Sequence, residues 1–507
     1  MANLKSNYDV VVVGGGMGGL TCGALLAKEG LDILVIERLP SPGGYCSSLR
    51  DEGFSFDPAV GILEGCDKGG VVYQTLTELN VEGELELIKL DPANRVVGTD
   101  FDISVAAREE GFEDDLKRLS PGEGENIHLF LEECKALYRE MALVSKGSLD
   151  LMGLGQKLGF MKDFLLKCPR LRKYSGKSAK EVTHSFFTDP KLRAIMHGTA
   201  IFLDPGTQAS ILMNIIGMAA NEDIYYPKEG GIQALPDIMV KALERNGSQI
   251  ALNTTVSRIL VEKGRAIGVK LDGGNQIKAK YVVSNIDGKN TFLKLIGEEH
   301  LSPKFIKELN TSKIYGSVVS ISLGLDMDFR AMGIQLSDLS YCPTNNVDEL
   351  FSGQPEKSGL MVKLHSLLDS AQAPPGKSTM GIVACFPYNF NNYWKLANDG
   401  QKGKEYEALK GGVAGKLIAS MEKVVPGLSE HIVYKRIATP ITFEQATLNS
   451  EGSAMGWYPL PGGKMRSQKT PIKNLYQAGH WTFPGGSVPA VVASGRNAAQ
   501  LILKETQ

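Results

Sequence analysis

The sequence has no excess charge of either sign: 55 Lys and Arg stand against 57 Asp and Glu, a formal net charge of −2 over 507 residues. That balance argues against a general nucleic-acid binder, which needs a strongly cationic surface. Cysteine is sparse. The seven present (Cys22, Cys46, Cys66, Cys134, Cys168, Cys342, Cys385) are scattered, with no C-x-x-C pair and no Cys/His ligand spacing. A zinc or iron–sulfur site is therefore not expected, and buried reduced thiols of a cytosolic protein remain. Long uncharged runs are also few. The exception is Val10–Ala27, eighteen residues without a charge, of which six are glycine (14, 15, 16, 18, 19 and 23). So many glycines fit a nucleotide fold better than a signal peptide or membrane span, and neither of those is expected. The 43% hydrophobic and 22% charged composition is that of a soluble globular protein, and 507 residues are too many for one core. Two domains are expected.

What is present begins with Val10–Val13, four β-branched residues running into G-x-G-x-x-G at Gly14, Gly16 and Gly19, with Met17 and Gly18 between. Leu20–Lys28 reads as a helix. Ile33–Ile36 then reads as a strand ending in Glu37, eighteen residues beyond Gly19. Gly14 suits a tight turn, Gly16 a close approach to a pyrophosphate, and Gly19 close helix–strand packing. The helix N-terminus offers free N–H groups and a positive dipole end to phosphates. Glu37 can accept from a ribose 2′-OH. Glycines alone would make only a βα turn; strand, glycines, helix, strand and acid in order point to a bound dinucleotide. Arg38 follows, and then a second loop with Gly43, Gly44 and Tyr45. Such a loop after the acid suits a flavin dinucleotide more than a nicotinamide one, although an ordinary surface loop has the same composition.

Phe54–Pro58 reads as a short strand and turn. From about 71 to 223 helical patterns dominate, at Val71–Leu79, Gly124–Lys146, Leu151–Leu171, Ser178–Phe187, Lys191–His197 and Ser210–Ala220. Residues 151–180 interleave eight Lys or Arg with nine apolar side chains and one acid, Asp163. That stretch is either a packed helix with solvated lysines or a surface lying on an anionic bilayer. The α/β pattern returns at Tyr225: a helix over Ile232–Asn246, a strand at Ile250–Asn253, and a meander from Val256 to Val283. Residues 291–430 read as a second insertion, with strands at Ser317–Leu325 and Met380–Phe386 and an aromatic cluster of Tyr388, Phe390, Tyr393 and Trp394 of the kind that is usually core. Near the C-terminus a strand runs to Gly479. A Gly/Pro-rich loop follows, and a small-residue helix starts near Val488 or Pro489.

With these motifs in place, the chain resembles the FAD-dependent group of phytoene desaturases, carotenoid cis–trans isomerases and retinol saturases, within the amine-oxidase-like flavoproteins. The resemblance covers Asp9–Gly61, Ile224–Asp287 and Ile437–Leu503. It is carried by Tyr226-Pro227-Lys228-Glu229-Gly230-Gly231 with Ala234-Leu235, Asn253-Thr254-Thr255-Val256, Val282-Val283-Ser284-Asn285, and the loop from Gly479 to Gly495. It implies an α/β fold, a discontinuous Rossmann-type FAD-binding domain (1–70, 224–290 and 431–507) with a mixed, largely helical substrate domain (71–223 and 291–430). It implies FAD contacts at Val256, Gly479, His480, Ser487, Val488 and Pro489 beside the N-terminal set. His480 is a departure, since many relatives have Asp there to meet the ribityl chain. The implied chemistry is desaturation, saturation or isomerisation of a polyene or polyisoprenoid, with a quinone, oxygen or a nicotinamide as electron partner. His480, Glu444 and Tyr458 are the acid–base candidates. The expected setting is cytoplasmic, peripheral on the membrane face. Two rivals share the fold: an FAD amine oxidase or protoporphyrinogen-oxidase-like enzyme, and a flavin-free prenyl-binding escort protein.

Overall fold

The computed structural model describes residues 4–92, 94–105, 111–144, 148–219, 224–334, 338–397, 400–463 and 465–506. Strand Asn7–Val13 is at the centre of the first sheet, parallel to Ile33–Ile36 on one side and Gln276–Ser284 on the other. Gln249–Ala251 and Leu475–Gln477 continue the parallel order outward, and Val256–Glu262 and Arg265–Leu271 join Gln276–Ser284 as an antiparallel meander. A strand buried on both faces needs an unbroken apolar run, and Val10–Val13 supplies one. Val10 and Val12 pack under helices Met17–Lys28, Ala234–Arg245 and Val488–Thr506, while Val11 and Val13 face the opposite core with Ile259 and Trp481. The uncharged run Val10–Ala27 is thus divided between a strand and a helix.

The second sheet runs, edge to edge, through Ile432–Ala438, Ser317–Leu325, Ser378–Phe386, Leu360–Lys363, Asp338–Cys342, Asn94–Gly98 and Asp102–Val105. Its neighbours are antiparallel except Asp338–Cys342 beside Asn94–Gly98. Two sequence-based boundaries change here. Residues 71–223, expected to be largely helical, also hold strands Asn94–Gly98 and Asp102–Val105, which pair with each other, the first also with the distant Ser340–Cys342. Ile432–Ala438, assigned with the nucleotide-binding segments, is an edge strand of the second sheet, and its Lys435 and Arg436 suit a solvated edge.

Over this sheet lies a helical layer: Phe112–Leu119, Gly124–Val144, Ala179–Phe186, Pro190–Gly198 and Ala209–Ala219 enclose a core around Phe130, Phe187 and Met213. The single helix expected over 151–171 is two, Leu154–Lys167 and Pro169–Tyr174, since Pro169 cannot continue the first and starts the second. The expected helix ends at Lys146 and Ala220 fall outside the described residues. Trp394 is fully buried beside Tyr393 and Tyr406, as core; the Phe390 side chain is not among those described. Among the described residues no helix is long and apolar enough to cross a membrane.

Candidate functional site

The N- and C-terminal glycine loops meet at one point. A Cβ on Gly18 would stand 2.6 Å from the Gly479 nitrogen, and one on Gly495 would stand 2.3 Å from the Gly18 carbonyl oxygen. Glycine at both positions lets helices Met17–Lys28 and Val488–Thr506 cross in backbone contact. Asn285 completes the junction. Its Nδ2 donates to the Gly14 carbonyl at 3.4 Å, and its side chain lies against Gly16, Gly18, Gly19 and Gly479. Asn285 was not among the candidate residues, although the V-V-S-N motif already marked it.

Around that junction the Gly14 N–H donates to the Ile36 carbonyl at 2.8 Å, and Gly16 caps helix Met17–Lys28 with no side chain over its free N–H groups. Met17 is buried beneath. Glu37 accepts from the Gly15 N–H at 2.7 Å and the Leu39 N–H at 2.8 Å, one per carboxylate oxygen. Each oxygen keeps a lone pair that a ribose hydroxyl can use. Arg38 donates to the Ala446 carbonyl. The Gly43 N–H bonds the Gly15 carbonyl at 2.8 Å, which places Gly44 against Gly16. The Tyr45 hydroxyl donates to Ser453 O at 2.9 Å, and its ring lies 5.9 Å from that of His480. Val256 is buried at the start of its strand, and Thr254 N–H donates to the Glu37 carbonyl at 2.9 Å. Ser487 Oγ accepts from Ala490 N–H at 3.3 Å, and Val488 and Pro489 open the last helix.

The acid–base candidates lie apart. Glu444 accepts from the Tyr388 hydroxyl at 2.7 Å, whereas Tyr458 donates to Asp204 and stacks on Tyr315. Burial and the Asp204 carboxylate push the Tyr458 phenol up. Burial pulls His480 down to about 4, and its Nε2 is buried with no hydrogen-bond partner among the described residues. No hydrogen bond joins any two of the three among the described residues.

A cleft partly open to solvent lies between the helical layer and the second sheet. Its walls are mostly apolar, with Ile62, Val105, Phe112, Ile201, Phe202 and Met361 among them. None of the three candidates is among its described lining residues. Lys363 and Asp338 are. They belong to a buried polar hub that ties the second sheet to the segment after the short strand Phe54–Phe56 and to the Tyr226–Ile232 stretch. Asp57 accepts from Ser48 Oγ at 2.6 Å, the Tyr226 hydroxyl at 2.7 Å and Ile232 N–H at 3.3 Å. His365 bridges Asp57 on Nδ1 and Asp338 on Nε2, both at 3.2 Å. Burial alone would pull His365 down, but the Asp338 and Asp57 carboxylates outweigh it and hold the ring at about 9, an imidazolium donating from both nitrogens. Nothing in the sequence reading singled out this hub. Its trace was Leu360-Met361-Val362-Lys363-Leu364-His365, where a lysine and a histidine interrupt an apolar strand.

A family profile described as flavin-containing amine oxidoreductase matches residues 17–400 and 438–503. The chain is 30% identical over 524 residues to a chloroplastic prolycopene isomerase of Daucus carota, covering 98% of this chain and 81% of that protein. It is 26% identical to a lycopene-forming phytoene desaturase of Pseudescherichia vulneris, covering 98% and 99% of the two chains. An all-trans-retinol 13,14-reductase of Danio rerio is also 26% identical, with 94% and 83% covered. Among solved structures, an oxidoreductase from Methanosarcina mazei superposes with a TM-score of 0.63 at 18% identity over 98% and 99% of the chains. A redesigned putrescine oxidase gives 0.66 at 14% identity, with the same coverage. At such identities the likeness is one of fold.

Proposed function

The chain belongs to the flavin-containing amine oxidoreductase family, and from that premise we propose an FAD-dependent oxidoreductase or isomerase acting on carbon–carbon bonds of a long apolar polyene. The observation that carries the substrate class is the mostly apolar cleft over the second sheet. An amine oxidase reading has behind it the breadth of the family profile and fold likeness at 14% identity, whereas the curated relatives named above act on polyenes.

The residues present suit FAD. The uncapped N-terminus at Gly16 and Met17 would meet the pyrophosphate, Glu37 the adenosine ribose, and the Gly43–Tyr45 loop, Val256, Gly479, His480 and Ser487–Pro489 the remainder. The buried His480 Nε2 without a partner is the sort of orphan that a bound cofactor satisfies. When bound, FAD supplies two-electron exchange at its ring system. The chain's own groups hold the polyene dry and aligned. His480 is a neutral imidazole contact in this reading, and Glu444 and Tyr458 are positioned through Tyr388 and Asp204. Segments 1–70, 224–290 and 431–507 hold the cofactor, with Ile432–Ala438 joining the sheet of 71–223 and 291–430. The electron partner is a quinone, oxygen or a transiently bound nicotinamide.

The proposed setting is the cytoplasmic face of a membrane. Helix Leu154–Lys167 has no buried residue, and Leu154, Leu158, Met161 and Leu165 form one stripe on it. Leu154 is 79% and Leu158 67% exposed, beside Lys157, Lys162 and Lys167. Such a stripe flanked by cations fits an anionic bilayer.

Anaerobic incubation of the purified protein with polyenes, following flavin absorbance and product mass together, tests the reading. Mass gain, mass loss or an isobaric shift separates saturation, desaturation and isomerisation. A protein that stays colourless after growth with ample riboflavin, or one that alters no polyene, overturns it.

A further inference from the structure

We propose that Asp338 is the catalytic acid–base residue of the cleft, passing a proton to and from a chain carbon, and that His365, anchored by Asp57, is its positioning residue. This rests on the polyene reading above and adds to it the group that handles the proton.

His480, Glu444 and Tyr458 are not among the described lining residues of the cleft, whereas Asp338 is. Asp338 and Ser340 stand two apart on strand Asp338–Cys342, opposite Lys363 and Met361 in the register, and all four line the cleft. Side chains two apart on a strand share a face, so the Asp338 carboxylate is on the cleft side of the sheet. Ser340 Oγ accepts there from Asn94 Nδ2, of the same lining, at 3.2 Å.

The two ends of the carboxylate–imidazole–carboxylate row differ. The Asp57 side chain has no exposed surface and accepts from Ser48, Tyr226 and Ile232, so it anchors the ring. The Asp338 side chain is 11% exposed, and among the described residues its carboxylate accepts from His365 Nε2 alone. Lone pairs remain on both of its oxygens. A reacting group held by a second group, itself oriented by a third, is the arrangement that proton transfer requires. The apolar walls serve the same end, because a fixed carboxylate acts strongly there on positive charge developing along a polyene. This end of the cleft also adjoins the loop proposed to meet the flavin. Gly61 lines the cleft, a Cβ on it would stand 2.8 Å from His365 Cε1, and the neighbouring Val60 N–H donates to the Tyr45 carbonyl at 3.4 Å.

In desaturation a hydride leaves one carbon for the oxidised flavin. The C–H bond of its neighbour breaks, the electron pair closes the new π bond, and the proton passes to an Asp338 oxygen. Saturation is the reverse, with the proton passing from Asp338 to carbon as hydride arrives from reduced flavin. Isomerisation needs the proton alone: it adds to one carbon, the chain turns about the bond left single, and it returns to Asp338.

The test is anaerobic single turnover of the flavin-loaded protein on a linear polyene hydrocarbon in detergent, read by product mass and chromatographic retention. Polyene binding is read separately, by quenching of tryptophan fluorescence. Asp338→Asn should slow turnover at least about a hundredfold with binding altered less than about twofold, and Asp338→Glu should restore part of the rate. His365→Gln should lower the limiting rate while the half-saturating polyene concentration stays within about twofold, and adding it to Asp338→Asn should slow turnover no further. Unchanged thermal melting and flavin retention establish that Asp338→Asn is folded; if it is not, the split between rate and half-saturation in His365→Gln decides, and a change in both or in neither overturns the inference. A full rate in Asp338→Asn overturns it, and a loss found instead in Glu64→Gln or Glu113→Gln gives the role to another carboxylate of the cleft. A wild type that alters no polyene removes the polyene reading itself, and this assignment with it.

Discussion

At Glu37 a single carboxylate ties the first glycine loop to the chain leaving the second strand, through Gly15 and Leu39. Glu37→Ala therefore removes the proposed ribose acceptor and loosens the loop proposed to meet the pyrophosphate. The expected loss in FAD affinity is about 1–3 kcal/mol, measured by fluorescence of released flavin on dilution; unaltered retention would count against the assignment. His365 leaves a pH signature. Its folded value of about 9 lies above the ordinary 6.5, so its stabilisation is complete below 6.5 and is lost as pH rises through 9. Lys363 runs oppositely: its value of about 8 lies below 10.5, so its cost is full below 8 and is relieved between 8 and 10.5. Between pH 6.5 and 8 the histidine acts alone, and urea unfolding should show up to about 2 kcal/mol lost. His365→Gln should be less stable throughout and flat over that window. Single residues were legible where a motif demanded them, as at Gly14, Gly16 and Glu37. Asp57, Lys363 and His365 were not, because their partners are up to 308 residues apart and no local pattern announces the pairing.

Among the elements, the crossing of Met17–Lys28 with Val488–Thr506 tolerates no side chain at its centre. Gly495→Ala would drive a methyl to 2.3 Å from the Gly18 carbonyl. The helices must part, at a cost of about 1–3 kcal/mol, with faster flavin release and a lower melting temperature. The exposed stripe on Leu154–Lys167 carries a prediction of another kind. Leu158→Asp combined with Leu165→Asp should weaken binding to anionic vesicles at least about tenfold while leaving the melting temperature unchanged, since neither side chain is buried. Equal sedimentation of both proteins with such vesicles would sink the bilayer reading. Elements with strong local signals were readable: the apolar run at Val10–Val13, the alternation at Ser317–Leu325, the proline-started helix at Val488. Asn94–Gly98 was not, for its strand character comes from Ser340–Cys342 rather than from its own side chains.

For the whole molecule, charge ties the second sheet to the segment that follows the short strand Phe54–Phe56. Asp57 comes from the segment after the second glycine loop, His365 and Asp338 from the second sheet. The sequence disclosed the Rossmann-type nucleotide fold, because both glycine loops carry their own motifs. It did not disclose that the intervening segments build a seven-stranded sheet, whose order depends on pairings across hundreds of residues. The meeting of Gly18 with Gly479 has a last consequence, in time rather than space. At a ribosome adding about 5–20 residues per second, Gly479 is made roughly 25–90 s after Gly18. During that interval the nascent chain carries one half of the proposed cofactor cradle and a core with an open side, so on that proposal flavin capture awaits the C-terminal segment. Arrested chains that stop before Gly479 should accordingly emerge colourless and in need of a chaperone, however complete their first sheet strands are.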